Sequence, residues 1–234
     1  MNLAMTEPGM IADDPNTNNL RDVAALLAPD RPLLITDADE VLFAFMAAFE
    51  RHLHANDTYF NWASYRLNGN IIARADETAV DNPQVKALIA DFFEQHTRTI
   101  EPLEGAAEAM AALVAERGLQ IVVLSNVPAP RHGDRQWALA RHGMDYPLIA
   151  NEGAKGRAVA FLAARTNAPV FFIDDAPSHH DDVAVHAGHV RRIHYVGHPR
   201  LAELIGPAEA SHLRARSWDD IRRFIEDHLD DTAT

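Results

Sequence analysis

Apolar and polar positions along this chain follow two rhythms. Three compact apolar runs, Pro32-Leu33-Leu34-Ile35-Thr36, Gln120-Ile121-Val122-Val123-Leu124 and Pro169-Val170-Phe171-Phe172-Ile173, have the shortness and unbroken hydrophobicity of strands buried on both faces of a parallel sheet. A weaker run, Arg192-Ile193-His194-Tyr195-Val196, and a short one, Tyr146-Pro147-Leu148-Ile149-Ala150, fit further strands. Between the runs the spacing turns helical: residues 106–117, rich in Ala and closed by Gly118, then 155–165 and 221–229, with a short helix at 20–27. Strands alternating with helices from Glu101 onward predict an α/β fold, a Rossmann-like parallel sheet with helices on both faces.

Residues 44–99 break that alternation. They carry helical spacing at 41–54 and 84–97, no convincing strand, and a polar aromatic stretch running from Tyr59 through Trp62 and Tyr65 to Arg66. This pattern reads as a helical insertion at 44–99 that splits an α/β core into 20–43 and 100–234. Residues 1–19, rich in Asn, Asp, Pro and Thr without periodicity, read as a flexible leader.

Composition narrows the partners. With 21 Lys+Arg against 34 Asp+Glu the formal charge is −13, and no stretch gathers basic residues, which argues against nucleic acid and anionic membrane surfaces. The absence of cysteine excludes a disulfide framework, a thiolate metal site and a cysteine nucleophile, and suits a reducing compartment. The first basic residue is Arg21 and the longest wholly apolar run is 41–49, too short to span a bilayer, so a cytoplasmic location is the expectation.

The residues just past each apolar run are more informative, because ligands of open α/β sheets lie beyond the carboxyl ends of the strands. Asp37 and Asp39 come after the first run, Ser125 and Asn126 after the second, and Asp174 and Asp175 after the third. Any one of these acids could simply cap a helix or solvate a loop. Together they crowd one sheet edge with negative charge, and two such charges about 4 Å apart repel by roughly 4 kcal/mol at an effective dielectric near 20. A divalent cation relieves that repulsion, and oxygen donors in a small open site suit Mg²⁺.

These residues form a recognisable constellation. Leu33 to Leu42, with Asp37-Ala38-Asp39-Glu40-Val41 after the apolar run, resembles the first motif of the haloacid dehalogenase-like superfamily. Ile121 to Asn126 is similar to its second motif, Ala154-Lys155-Gly156 to its third and Phe171 to Asp175 to its fourth, all in the family's order. The resemblance covers the chain from about Pro32 onward and implies a small α-helical cap at 44–99 over the site. It also implies an Mg²⁺-dependent phosphomonoester hydrolase acting on a small phosphorylated metabolite through an aspartyl-phosphate intermediate. In that scheme Asp37 is the nucleophile and Asp39 the general acid and base, with Ser125, Asn126 and Lys155 on the phosphoryl oxygens. Mg²⁺ is held by Asp37, Asp175 and the backbone carbonyl of Asp39, and through water by Asp174. An acid at Asp39 favours ester hydrolysis over dehalogenation, since a halide leaves without a proton. A phosphomutase-type phosphotransferase and a non-catalytic phospho-ligand-binding protein remain the alternatives.

The sequence departs from the family's pattern in two places. Glu40 stands where related phosphatases often have glycine, and the fourth motif continues as Ala176-Pro177-Ser178-His179-His180-Asp181, so that either His179 or Asp181 fills its last position. Tyr65, Arg66 and Arg131 are the candidates for substrate specificity. Trp62 and Tyr65 serve equally well as the insertion's own core, and Arg131 and Arg135 as a solvated helix start. The run His179-His180-Asp181-Asp182 lacks zinc-site spacing, and the remaining histidines, His194 among them, read as surface or structural. No Gly-x-Gly-x-x-Gly or P-loop pattern follows a strand.

Overall fold

In the computed structural model, which describes residues 15–231, the apolar runs become neighbouring strands of one parallel sheet. In chain order the elements are α1 (Pro15–Ala25), β1 (Leu33–Thr36), α2 (Phe45–Ala55), β2 (Thr58–Phe60), β3 (Ile71–Ala73), α3 (Asn82–His96), α4 (Ala106–Arg117), β4 (Gln120–Ser125), α5 (His132–Arg141), β5 (Leu148–Ala150), α6 (Gly156–Ala163), β6 (Val170–Asp174), α7 (Pro177–His186), β7 (Arg191–His194), α8 (Pro199–Leu204), β8 (Leu213–Arg214) and α9 (Trp218–Asp231). The main sheet runs β5-β4-β1-β6-β7-β8 with every neighbouring pair parallel. β1 is therefore central, flanked by β4 and β6, and the register pairs Thr36 with both Val123 and Ile173. That register brings Asp37, Ser125 and Asp174 to one edge of the sheet.

Successive side chains of a strand point to opposite faces, so an unbroken apolar run needs cover on both sides. Leu33, Ile35, Val122, Leu124 and Phe172 pack with Val23 of α1, Val159 and Leu162 of α6 and Val183 of α7. Leu34, Ile121, Val123, Phe171 and Ile173 belong to a second cluster with Met110 and Leu113 of α4, Leu139 of α5, and Ile221 and Ile225 of α9. Burying each such side chain contributes about 1.5–3 kcal/mol, which makes the sheet a stiff platform for the polar residues at its edge.

Four local features differ from the pattern-based reading. Helix α1 starts at Pro15, ahead of residue 20, because proline opens a helix without loss while the polar residues before Leu20 carry no periodic signal. The leader expected at 1–19 otherwise lies, for 1–14, outside the described residues. Within 44–99 the chain forms a hairpin, β2 with β3, registered Thr58 to Ala73 and Phe60 to Ile71. Strands of 3 residues are too short to show alternation, so the expectation of an all-helical segment is corrected. α2 starts at Phe45 and not at 41, since Leu42 and Phe43 turn back to donate backbone N–H groups to the Ala38 carbonyl at 2.8 and 2.9 Å. β7 ends at His194, and β8, only 2 residues long, extends the sheet.

Two glycines matter. Gly118 ends α4 at φ +63°, the left-handed conformation glycine adopts most easily. Gly156 opens α6 against α7: a Cβ there would lie 2.5 Å from the Asp182 carbonyl and 2.7 Å from His186 Nδ1. Gly156→Ala is therefore expected to cost about 1–3 kcal/mol and lower Tm by several degrees. Gly133→Ala in α5, where a Cβ meets nothing within 4 Å, should leave Tm unchanged or slightly raised. Thermal unfolding of the two variants checks this, and equal Tm values would contradict it.

Candidate active site

Two of the acids at the sheet edge share one lysine. Asp37, just past β1, pairs through Oδ1 with Lys155 Nζ at 2.7 Å, and Asp174, the last residue of β6, pairs with the same nitrogen at 2.8 Å. Lys155 stands immediately before α6 and is completely buried. It is delivered there by the loop after β5: Asn126 donates its side-chain amide to the Gly153 carbonyl at 3.0 Å and accepts from Asn151 at 2.8 Å. The close approach of Gly156 to α7, where its N–H donates to Asp182, completes the placement. The side chain of Asn126 is thus committed to the loop. Ser125 is fully buried, and its Oγ has no hydrogen-bond partner among the described residues.

Asp174 is the most heavily bonded acid. Besides Lys155 it accepts the Ala176 N–H at 2.9 Å and faces His179 Nδ1 at 2.8 Å. Of the two residues left open after Asp175, His179 is the one that reaches Asp174, and Asp181 is exposed. Behind this pair stand two more histidines, His180, which the sequence offers only as part of a run without zinc-site spacing, and His194, which it reads as surface or structural. His180 Nε2 meets the Asp174 carbonyl at 3.0 Å, and His194 Nε2 meets the Asp175 carbonyl at 2.9 Å. His194 Nδ1 accepts the Ala208 N–H at 2.9 Å, which assigns its proton to Nε2. Burial, with Arg214 alongside, holds His194 down at about 4, so it is a neutral donor that fixes the backbone of the acid pair.

The same crowding divides the charges unequally. Burial works against the Asp174 carboxylate, but Lys155 and His179 outweigh it and keep its pKa below the usual range. Burial likewise opposes the Lys155 ammonium, and Asp174 and Asp37 outweigh it, so Lys155 stays protonated. Asp37 is pushed up to about 6 by burial, with Lys155 pulling against it and Asp174 and Asp39 adding to it. Burial, with Asp174, Asp37 and Glu40 close by, raises Asp175 well above the usual value. Asp37, Asp174 and Asp175 each present a carboxylate oxygen within 4.8 Å of the others, the one group among the described residues able to hold a metal ion. Three hard oxygen donors facing a single lysine fit a divalent cation such as Mg²⁺.

Asp39 points elsewhere. Its Oδ1 accepts from Arg135 Nη2 at 2.7 Å, and the guanidinium lies 4.9 Å from the Phe43 ring centroid. Arg135 is completely buried, with Nε and Nη1 unpaired among the described residues, so it is not part of a solvated helix start. A buried arginine one helical turn after Arg131 carries no sequence signal that separates it from a surface one. Glu40 takes φ +60°, the left-handed conformation for which glycine would be the easier residue. Its side chain accepts the backbone N–H groups of Met46, in the first turn of α2, and of His198 at 2.8 Å. Burial pushes it up to about 7.

The three specificity candidates separate. Tyr65, 45% exposed, lines a cavity that also reaches Glu40 and Asp175. Arg66 is exposed, and its carbonyl accepts from Asn70 at 2.7 Å. Arg131 pairs with Glu94 of α3 at 3.4 Å and with Asp134 at 3.5 Å. Trp62 is more involved than any of them: its ring stacks on His198 at 4.9 Å, and its Nε1 donates to Glu50 at 2.9 Å.

A carboxyl whose folded pKa exceeds its unfolded value takes up a proton on folding, so its burial destabilises increasingly as pH rises between the two values. For Glu40 that window runs from 4.5 to about 7, and Asp37 and Asp175 act in the same direction. Burial lowers His52, His180, His194, His198 and His212, which act the opposite way as pH rises toward their ordinary 6.5. The metal-free protein should therefore lose stability from about pH 6.5 to pH 8. Saturating Mg²⁺ at pH 8 should restore about 2–3 kcal/mol, a Tm rise of about 5–10 °C, with a smaller rise at pH 5.5. Asp175→Asn should raise the metal-free Tm at pH 8 and abolish the Mg²⁺ effect. A variant that unfolds earlier than wild type without metal would contradict the assignment.

No protein-family model matches the chain, and no curated protein sequence does. Solved structures do match. A conserved haloacid dehalogenase-like protein from Agrobacterium tumefaciens superimposes with TM-score 0.56 at 16% identity, over 86% of this chain and 99% of that one. A haloacid dehalogenase-type hydrolase of family IA, variant 3, from Entamoeba histolytica gives 0.55 at 12% identity over 85% and 98%. CbbY from Rhodobacter sphaeroides, in complex with phosphate, gives 0.54 at 14% identity over 81% and 95%. The central position of β1 between β4 and β6 and the likeness over most of each chain show that this protein has the haloacid dehalogenase-like fold.

Proposed function

We propose that this protein is a Mg²⁺-dependent phosphomonoester hydrolase that works through an aspartyl-phosphate on Asp37, with residues 44–99 as the cap over its site. The observation that carries the reading is the buried arrangement at the sheet edge: Lys155 bridging Asp37 and Asp174, Asp175 beside them, and a Ser125 hydroxyl without a partner. A buried hydroxyl donor with nothing to bind is costly unless a ligand oxygen takes it, and a phosphoryl oxygen does so. Lys155 supplies positive charge to the same group.

The cation, held by Asp37, Asp175 and the Asp39 carbonyl, would supply the positive charge that ionises the carboxylates and offsets charge on the phosphoryl oxygens. Asp37 attacks phosphorus through a carboxylate oxygen, forming the O–P bond as the ester O–P bond breaks. Asp39 gives its proton to the departing alkoxide and then removes one from the water that attacks the phosphorylated Asp37, releasing phosphate and restoring the carboxylate. Arg135 holds one oxygen of Asp39 at 2.7 Å and leaves Oδ2 for the proton. Trp62 stacked on His198 joins the cap to the core beside this site.

Hydrolysis of an aryl phosphate and an alkyl phosphate, with and without Mg²⁺, tests the reading. Asp37→Asn should lower kcat by about 10³-fold or more on both. Asp39→Asn and Arg135→Gln should lower kcat by about 10²–10⁴-fold on the alkyl ester and far less on a nitrophenyl ester, whose leaving group needs no proton. Equal loss on both esters would remove Arg135 from that role, and wild type matching Asp37→Asn on every ester would sink the hydrolase.

A further inference from the structure

The cavity beside Asp175 has walls that a generic phosphatase does not require. It encloses about 240 Å³ between the start of α2, the chain after β2, and α8. Phe45, Met46, Tyr65, Leu67, Leu201 and Ile205 line it, with Pro177 and Ser178 at the start of α7. No lysine, arginine or histidine among the described residues lines it; its charged walls are Asp175 and Glu40. Both oxygens of Glu40 already accept backbone N–H groups, so this carboxylate is satisfied by the protein itself. Three cations near the site are engaged, Lys155 with Asp37 and Asp174, Arg135 with Asp39, and Arg131 with Glu94 and Asp134. Arg66, between Tyr65 and Leu67, is exposed and is not among the lining residues.

A second phosphate or a carboxylate on the substrate would enter this space beside Glu40 and meet no lysine, arginine or histidine among the lining residues. An apolar skeleton would instead exchange water for apolar side chains, and Tyr65 and Ser178 are the uncharged polar side chains among the lining residues. A dry cavity of about 150 Å³ accommodates benzene, so this one has room for a phenyl ring with its linker.

Resting on the hydrolase reading, we infer that this cavity receives the carbon skeleton of the leaving alcohol, and that the substrate is a phosphate monoester of an uncharged, largely apolar alcohol. Bisphosphates and phosphorylated acids are then poor substrates.

Benzyl phosphate and 2-phosphoglycolate test this as a pair, since both leave a primary alkyl oxygen and differ in carrying a phenyl ring or a carboxylate. With Mg²⁺, kcat/KM for benzyl phosphate should exceed that for 2-phosphoglycolate, and for a hexose bisphosphate, by at least about tenfold. Tyr65→Arg, at an exposed position that endangers folding little, should shrink that ratio by admitting the carboxylate. A preference for the acid or the bisphosphate overturns the assignment and leaves the hydrolase standing. If no ester turns over, the hydrolase reading fails and binding decides: benzylphosphonate must protect against thermal unfolding at lower concentration than phosphonoacetate. The reverse order, or protection by neither, overturns the cavity's role.

Discussion

An ammonium group with no access to water is tolerable only if it is paired, and Lys155 is paired twice, at 2.7 Å to Asp37 and 2.8 Å to Asp174. Removing one side of such a buried set typically costs about 3–5 kcal/mol, because a bare charge is left behind. The triad therefore ties three separated stretches of chain, the ends of β1 and β6 and the start of α6, into one rigid unit. It also decides what the remaining acids can do. Asp174 spends its oxygens on Lys155, Ala176 and His179, which leaves Asp37 and Asp175 with an excess of negative charge that the protein does not neutralise. An acidic chain can in this way present a site for a cation and, beyond it, for a small anion.

The stretch from Asp37 to Glu40 shows how closely spaced acids are kept from acting as one undifferentiated cluster. Asp37 turns to Lys155 ahead of α6, Asp39 to Arg135 in α5, and Glu40 to the backbone N–H groups of Met46 and His198. The partners come from separate stretches of the chain, so the three carboxyls are held in three different ways. The positive φ at Glu40 is the local conformation that lets the chain make these turns within so few residues. Helix α2 is thereby fastened to the loop after β7, beside the cavity that Tyr65 lines.

Much of this is legible in the order of residues alone. The apolar runs became β1, β4 and β6, and residues 106–117 became α4 with Gly118 as its cap, because burial on both faces and helix termination leave strong local signals. The acids at strand ends converged because a parallel sheet sends all its carboxyl ends to one edge. The hairpin at 58–73 escaped because strands of 3 residues show no period. Arg135, His180 and His194 escaped for another reason: their roles depend on partners distant in sequence, Asp39 and the carbonyls of Asp174 and Asp175. Spacing shows where a side chain can reach along its own helix or strand, and is silent on what the next element brings to it.

The proposed chemistry stands or falls on whether Asp37 carries the phosphoryl group. Acid quenching during turnover of a good substrate, then borohydride reduction and peptide mass spectrometry, reads this directly. Homoserine is expected in place of Asp37 in the wild-type peptide, absent without substrate and absent in Asp37→Asn. Turnover that leaves Asp37 unmodified while another residue is reduced would refute it.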